Sequence, residues 1–382
     1  MEPVMVEPEE KREAAESAPR RFHLINTIKF WGGGERFTFD LASGLRERGY
    51  DVRVYGRPGK ELLRRAEAAG MASVPFHANF DYDPLPLLKL FPRTGRDVFL
   101  AMAPRDLKLL RLMTLLRTDS KLFWYLGVCY PENNREYRWL LKNGKIRLVA
   151  VSEFIKTEVL SRVPQVADRI SVLPAGVEIP EADTASARRT LAERYKIPPD
   201  KLFLGIFSRL VEGKGHLLLF CALEQARKSG SGFHLWVVGK GDKSELFEKE
   251  ARERGLADHV TFTGFQTDVT SFMAGVDVVC LPSEKEPFGY VVLEGMALGK
   301  PVLASASGGP LEILTDGEDG ILLPSDNPEA WESAIVALAQ DVNRRERLGG
   351  AARRTVKERF SQERMITGFL EIVNADSTVG RA

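Results

Sequence analysis

The stretch that decides the fold is residues 202–227, LFLGIFSRLVEGKGHLLLFCALEQAR. It joins an apolar strand pattern at Leu202–Phe207 to a glycine-bearing loop at Ser208–Gly215 and a helical pattern at Leu217–Arg227. Another strand pattern follows at His234–Val238. Short apolar strands that alternate with helices are typical of a parallel sheet covered by helices.

The first half of the chain has the same arrangement. A strand pattern at Phe22–Ile28 leads to three glycines at 32–34 and a helix that ends at Gly49, and similar units continue to residue 151. The sequence therefore predicts an α/β protein with two Rossmann-like, doubly wound domains that face a central cleft. We expect the ligand at the carboxyl ends of the strands.

The length of 382 residues also favours two domains over one. We predict a disordered tail at 1–20, a first domain at 21–178 and a second domain at 179–361. The last helical pattern carries Met365, Ile366, Phe369 and Leu370 on one face. We expect this segment, 362–382, to pack back on the first domain.

Composition excludes several classes of protein. With 44% hydrophobic and 28% charged residues the chain is typical of soluble globular proteins, and it has no apolar run of membrane-spanning length. The first 20 residues lack the pattern of a signal peptide. Three cysteines without a CxxC pair favour a reduced compartment over disulfides or zinc. A cytoplasmic location is expected.

A basic stretch lies between Lys89 and Lys121, with eight basic and three acidic residues among apolar ones. One interpretation is a solvated helix face; the other is a patch that contacts anionic lipid at the membrane periphery. A nucleic-acid partner is not expected, because no recognition motif accompanies the patch.

The strongest chemical pattern lies at 276–298, where a strand, a loop at Pro282–Gly289 and a helix follow one another. The start of a helix is a ready site for phosphate. Glu286 in the loop and Glu294 in the helix would repel a diphosphate unless they face sugar hydroxyls. The alternative is a solvated loop glutamate and a surface glutamate.

A second pattern is the pair of cations in the loop after Leu202–Phe207. Arg209 and Lys214 are five residues apart, and glycines flank the lysine. Two cations at the end of a strand suit a pyrophosphate. The topology places this loop at the same sheet edge as the Glu286 loop, although an exposed charged turn would look similar.

The segments Arg209-x4-Lys214 and Glu286-Pro-Phe-Gly-x4-Glu294 resemble the donor-site signatures of retaining glycosyltransferases of family 4, which have the GT-B fold. The resemblance covers roughly residues 21–375. It also includes the segments Gly32–Arg36, Val151–Glu153, Pro174–Val177, Val238–Gly241, Gly308–Gly309 and Gly320.

The resemblance implies a role for each matching residue. Arg209 and Lys214 would neutralise the donor diphosphate, Glu286 would hold the transferred sugar, and Glu294 would bind the ribose. Gly33 and Gly34 would let the first-domain loop close on the diphosphate. The other implied donor-binding residues are Gly239, Phe262, Phe265, Phe288, Gly289, Tyr290 and Val291.

The sequence departs from the family pattern in the first domain. Many relatives have a sugar-contacting histidine after the strand that matches Leu122–Leu126, but residues 127–133 read GVCYPEN. Tyr130, Glu132 or Asn133 would take its place on the acceptor side. The donor sugar is therefore open, as are the nucleobase and the acceptor.

No metal or cofactor is expected. Asp81-Tyr-Asp83 resembles a metal-binding DxD, but Pro84 follows and no second set of ligands is evident. His216 at a predicted helix start and His23 on a buried-type strand are interpreted as structural residues.

The predicted activity is transfer of a sugar from a UDP- or GDP-sugar to a hydroxyl of a glycan or lipid-linked acceptor. A nucleotide-sugar epimerase of the same fold and a non-catalytic two-lobed binding protein are the alternatives. An NAD-dependent oxidoreductase fits less well, because the glycines at 32–34 lack the GxGxxG spacing and Val54–Arg57 lacks the ribose-binding acid.

Overall fold

A computed structural model describes residues 21–29, 31–76, 97–107, 110, 114, 120–128 and 145–375. The chain divides into two compact units. One runs to Ala175 and resumes at Gln362, and the other is Gly176–Ser361. The sequence placed this boundary three residues later, at 178.

The first unit is built on a parallel sheet with seven strands among the described residues, in the order β3-β2-β1-β4-β5-β6-β7. The chain winds outward from β1 in one direction and from β4 in the other. The strands are β1 Arg21–Asn26, β2 Asp51–Gly56, β3 Ala72–Pro75, β4 Asp97–Ala101, β5 Lys121–Leu126, β6 Ile146–Ala150 and β7 Ile170–Val172. The helices that follow β1, β2 and β6 are α1 Gly33–Glu47, α2 Glu61–Ala68 and α3 Glu153–Arg162.

Burial explains the apolar runs of this sheet. Every residue of β4 is buried, as expected for a parallel strand covered on both faces. His23 on β1 belongs to this core: it stacks on Phe99 at 4.3 Å and shares a 2.7 Å hydrogen bond with the hydroxyl of Tyr55. Burial lowers the pKa of His23, so it is a neutral packing residue at physiological pH.

The second unit repeats the pattern with six strands, in the order β10-β9-β8-β11-β12-β13, all parallel. The strands are β8 Leu202–Phe207, β9 Phe233–Val238, β10 Val260–Gly264, β11 Val278–Leu281, β12 Val302–Ser305 and β13 Ile321–Leu323. The helices are α4 Thr184–Tyr195, α5 His216–Lys228, α6 Ser244–Glu253, α7 Val269–Gly275, α8 Tyr290–Ala297, α9 Pro310–Ile313, α10 Pro328–Gln340 and α11 Val342–Arg359.

The last described helix, α12 Gln362–Ala375, belongs to the first unit. Its Phe369 is fully buried and lies 6.0 Å from the ring of Phe22 and 6.1 Å from that of Phe123. Lys121 donates a 2.7 Å hydrogen bond to the carbonyl of Val373 in its last turn. No helix among the described residues is long and apolar enough to span a membrane.

Truncation of Phe369 tests this packing. Phe369→Ala should lower the free energy of unfolding by about 3–5 kcal/mol, because it removes a buried ring and leaves a cavity. Glu371→Ala, at an exposed position of the same helix, should change it by less than about 0.5 kcal/mol. Urea unfolding of both variants measures the difference, and equal stabilities would mean that α12 does not cover the sheet.

Candidate active site

The site lies at the carboxyl edge of the second sheet. Strands β8 and β11 are neighbours there, and the chain runs from them in opposite directions. The loops that follow the two strands, 208–215 and 282–289, therefore diverge from the same point, which is where doubly wound sheets bind ligands.

These two loops bring the predicted cation and carboxylate together. The Nζ of Lys214 donates a 2.8 Å hydrogen bond to Oε2 of Glu286, and their side chains are 23% and 14% exposed. Next to them, the backbone N–H of Glu284 donates to the carbonyl of Gly213 at 3.0 Å. Arg209 is exposed on the same loop as Lys214. The structure thus joins two motifs that are 72 residues apart in sequence.

Glycine is required where the loops touch. Gly215 has φ +73°, and a Cβ there would lie 1.8 Å from the carbonyl oxygen of Pro282. Gly239, after β9, has φ +149°, and a Cβ there would lie 1.9 Å from the carbonyl oxygen of Ser208. Both positions combine an unfavourable conformation for other residues with a backbone clash. The three loops at this edge therefore hold one another through their main chains.

Helix α8 begins at the same edge. Gly289, its N-cap, is in the left-handed region with φ +113° and has no side chain with which to cap the helix. The start of a helix carries a positive partial charge, which favours an anion. Phe288 and Gly289 are buried, whereas Tyr290, Val291 and Glu294 are partly exposed.

A brace that the sequence analysis did not assign comes from the loop after β12. The N–H of Gly309 donates to the carbonyl of Glu286 at 2.8 Å, and the hydroxyl of Ser307 donates to the carbonyl of Glu284 at 2.8 Å. A Cβ on Gly309 would lie 2.1 Å from Cα of Phe288. In the sequence, the pair Gly308-Gly309 after a strand was the feature that could have indicated this close contact.

Phe262 and Phe265, near the end of β10, were both predicted to bind the donor, but they lie in different environments. Phe262 is partly buried and packs against the hydrophobic core, 6.2 Å from Phe220. Phe265 is 58% exposed beyond the strand. The side-chain amide of Gln266 donates to the carbonyl of Thr263 at 2.7 Å, which closes the turn between them.

The remaining predicted site residues lie elsewhere. Gly33 and Gly34 form the start of α1 in the first unit, where the amide of Asn26 donates to the carbonyl of Gly34 at 3.2 Å. Tyr130, Glu132 and Asn133 lie outside the described residues, as do Asp81, Asp83 and most of the basic stretch at 89–121.

No cluster of three or more His, Cys, Asp or Glu side chains that could hold a metal ion occurs within the part of the chain that the structure describes.

His216, at the start of α5, packs rather than titrates near neutrality. It is 1% exposed, stacks on Phe247 at 4.5 Å and shares a 3.3 Å hydrogen bond with the hydroxyl of Ser208. Burial, and secondly the charge of Lys214, lower its pKa to about 4. The imidazole is therefore neutral at pH 7 and serves to hold the loop after β8.

Comparison with known proteins agrees with this fold. A family model described as Glycosyltransferase Family 4 matches residues 31–180, and one described as Glycosyl transferases group 1 matches residues 187–355. The lipopolysaccharide core biosynthesis glycosyltransferase LpsE of Rhizobium meliloti (strain 1021) is 30% identical over 351 residues, which are 90% of this chain and 96% of the relative.

Two further proteins are similar. The D-inositol 3-phosphate glycosyltransferase of Paenarthrobacter aurescens (strain TC1) is 32% identical over 248 residues, 63% of this chain and 60% of that protein. The crystal structure of Anabaena Alr3699/HepE in complex with UDP and glucose has a TM-score of 0.80 at 21% identity, and the match covers 96% of this chain and 100% of the other.

The fold is thus that of the GT-B transferases, with two Rossmann-like α/β domains. Within that class the chain belongs to the group 1 glycosyltransferases of family 4, and it is a glycosyltransferase that uses a nucleotide-sugar donor.

The brace from Gly309 gives one prediction. Gly309 has φ −58°, so alanine meets no backbone strain there, yet its methyl group would clash with Phe288. Gly309→Ala should cost about 1–3 kcal/mol of stability by overpacking and should weaken nucleotide binding, because the Glu286 loop must move.

Urea unfolding and calorimetric titration with UDP and GDP measure both effects. Gly350→Ala is the control, since a Cβ there meets only the tip of Arg354 at 3.8 Å on the surface of α11. It should be neutral or stabilising by up to about 1 kcal/mol. Equal behaviour of the two variants would contradict the brace.

The pKa of His216 gives a second prediction. Its folded pKa lies below the ordinary value of 6.5, so its contribution to stability is present above pH 6.5 and is lost as the pH falls towards 4. Wild-type protein should lose about 2 kcal/mol more stability between pH 6.5 and 4.5 than His216→Leu, which has no imidazole to protonate there. Urea titrations at the two pH values test this. If the free energy of unfolding of His216→Leu depended on pH as that of wild-type protein does, His216 would not be a buried, neutral imidazole.

Proposed function

We propose that this enzyme is a retaining glycosyltransferase that moves a sugar from a UDP- or GDP-sugar to a hydroxyl of a glycan or lipid-linked acceptor without a metal ion. The contact between Lys214 and Glu286 beside the start of α8 carries the proposal. A cation, a carboxylate and a positive helix end at one sheet edge are the groups that recognise a diphosphate and a sugar.

The chemistry follows from where charge develops. Departure of the nucleotide diphosphate from an oxocarbenium-like carbon places negative charge on the leaving phosphate. Lys214, Arg209 and the start of α8 would stabilise that charge as preorganised groups. The departing phosphate would accept the proton of the acceptor hydroxyl, so no paired general acid and base is required.

The ion pair between Lys214 and Glu286 determines which contacts donor binding must replace. Each member is less than a quarter exposed, and removing the partner of such a charge is costly. A bound donor would offer its diphosphate to Lys214 and its sugar hydroxyls to Glu286. Binding therefore exchanges one set of charged contacts for another and leaves neither charge unpaired.

The relatives support the classes of donor and acceptor. LpsE is named for lipopolysaccharide core biosynthesis, which is a glycolipid acceptor class, and the Anabaena protein was crystallised with UDP and glucose. Phe265 is exposed just beyond β10, and its role in this proposal is to border the nucleobase of the donor.

Donor release tests the proposal. A panel of UDP-, GDP- and ADP-sugars is incubated with the enzyme in EDTA, and free nucleoside diphosphate is measured. We expect one donor to be cleaved, and Lys214→Ala or Glu286→Ala to lower the rate about 100-fold or more, because Lys214 stabilises the charge on the leaving phosphate and Glu286 positions the transferred sugar. Proton NMR of the transfer product should show the anomeric configuration of the donor.

Lys228→Ala is the matched control. It breaks an ion pair with Glu224 of similar length, 2.7 Å, on the surface of α5, and should leave the rate unchanged. Activity only after added divalent metal would overturn the metal-free mechanism, and an inverted product would overturn retention. Formation of a sugar epimer on the intact donor would favour the epimerase, whereas binding without cleavage would favour a binding protein.

A further inference from the structure

A fully buried carboxylate lies at the carboxyl edge of the first sheet, outside the groups considered so far. Asp106 is 0% exposed and ends a 3₁₀ turn, Pro104–Asp106, that follows β4. Strands β1 and β4 are neighbours, so this turn adjoins the loop that follows β1 at the point where the winding of the first sheet reverses.

Both oxygens of Asp106 are used to hold backbone. Oδ1 accepts from the hydroxyl of Thr27 at 2.5 Å, and Oδ2 accepts from the N–H of Thr27 at 3.3 Å and from that of Ala103 at 2.9 Å. On the other side, Nε of Arg57 donates to the carbonyl of Thr27 at 2.6 Å. The hydroxyl, N–H and carbonyl of Thr27 are all engaged.

Thr27 is the first residue of the loop from β1 to α1, which leads to Gly33 and Gly34. The other end of that loop is held from the same strand, because Asn26 donates to the carbonyl of Gly34 and accepts from the N–H of Ile28 at 3.1 Å. A buried charge lowers stability unless it is hydrogen-bonded. Here the hydrogen bonds come from one loop residue, Thr27, and from Ala103 in the turn of Asp106 itself.

We propose that Asp106 is a positioning residue, which acts through Thr27 to hold the start of the β1–α1 loop and thereby the glycines Gly33 and Gly34. Its kinetic consequence rests on the proposed function, in which those glycines serve the donor diphosphate. We call the hydrogen bonds of Asp106 to Thr27 and Ala103 the clasp. The clasp itself depends only on contacts within the first unit.

The charge state of the carboxylate gives the clasp a pH signature. Burial raises the pKa of Asp106 to about 6, against the hydrogen bonds from Thr27 and Ala103 and the nearby charge of Arg105, which favour the ionised form. Arg57 faces the clasp from the end of β2. Charge-assisted hydrogen bonds are stronger than neutral ones, so protonation loosens the loop.

The contribution of Asp106 to global stability moves the other way, because a carboxyl with a raised pKa favours the folded state below that pKa. Protonation of Asp106 should therefore loosen the loop without itself lowering global stability, whereas the loss of stability between pH 6.5 and 4.5 comes from His216. If Asp106 only stabilised the fold, the flexibility of the loop and the global stability would change together with pH.

Hydrogen exchange of peptides that span residues 27–34 tests the clasp without any donor. Thr27→Val removes the hydroxyl at similar volume and should speed exchange there at least tenfold, and Thr27→Ser should restore it. After correction for intrinsic rates, wild-type exchange should rise between pH 7 and pH 5, whereas Asp106→Asn should show no such step. Unchanged exchange in Thr27→Val would overturn the proposal.

The matched control is Thr355→Val, which removes a 2.7 Å hydrogen bond to another buried aspartate, Asp319, in the loop that precedes β13. In assays with the nucleotide sugar that the wild-type enzyme cleaves, kcat/KM should fall about tenfold or more in Thr27→Val and remain unchanged in Thr355→Val. Faster exchange with unchanged kcat/KM would overturn the positioning role. If wild-type enzyme cleaves no donor, the proposed function fails, and the exchange measurements still decide the clasp.

Discussion

The contact on which the candidate site of the second unit depends is between main chains, not side chains. The loop after β8 lies against the loop after β11 with no space for a Cβ at Gly215, and the loop after β9 lies against the loop after β8 with none at Gly239. The loop after β12 closes on the same group through Gly309. This close packing of backbone, which only glycine permits, brings Lys214 within hydrogen-bond distance of Glu286.

Much of this was predictable from the order of residues. Apolar runs at Leu202–Phe207 and in the segment 276–281 predicted the two central strands, and the rule that ligands bind where the winding reverses predicted their shared edge. The direct contact of Lys214 with Glu286 was not predicted. The sequence assigned the two residues to different parts of a ligand, and their distance depends on the side-by-side pairing of β8 and β11.

Other features left too weak a signal. Strands β3 and β7 have four and three residues and are only partly buried, so their apolar patterns are short. The first strand ends at Asn26, two residues earlier than its apolar pattern, because Asn26 and Thr27 turn to tertiary partners. Asp106 is one of three acidic residues in a basic stretch, where an acidic residue looks like a surface charge. The pairing of β1 with β4 brings the turn that holds Asp106 next to the loop after β1, where Asp106 is fully buried and bonds to Thr27.

The discontinuity of the first unit has a consequence for synthesis of the chain. Helix α12 covers Phe22 and Phe123, yet all of the second unit is translated before that helix exists. At about 5–20 residues per second, the ribosome needs roughly 10–40 s to pass from Gly176 to Ser361. Throughout that interval the nascent first sheet keeps an apolar face without its cover, and at its end the second unit has its whole sequence while the first unit still lacks α12. The first unit to be translated is therefore the last to be completed.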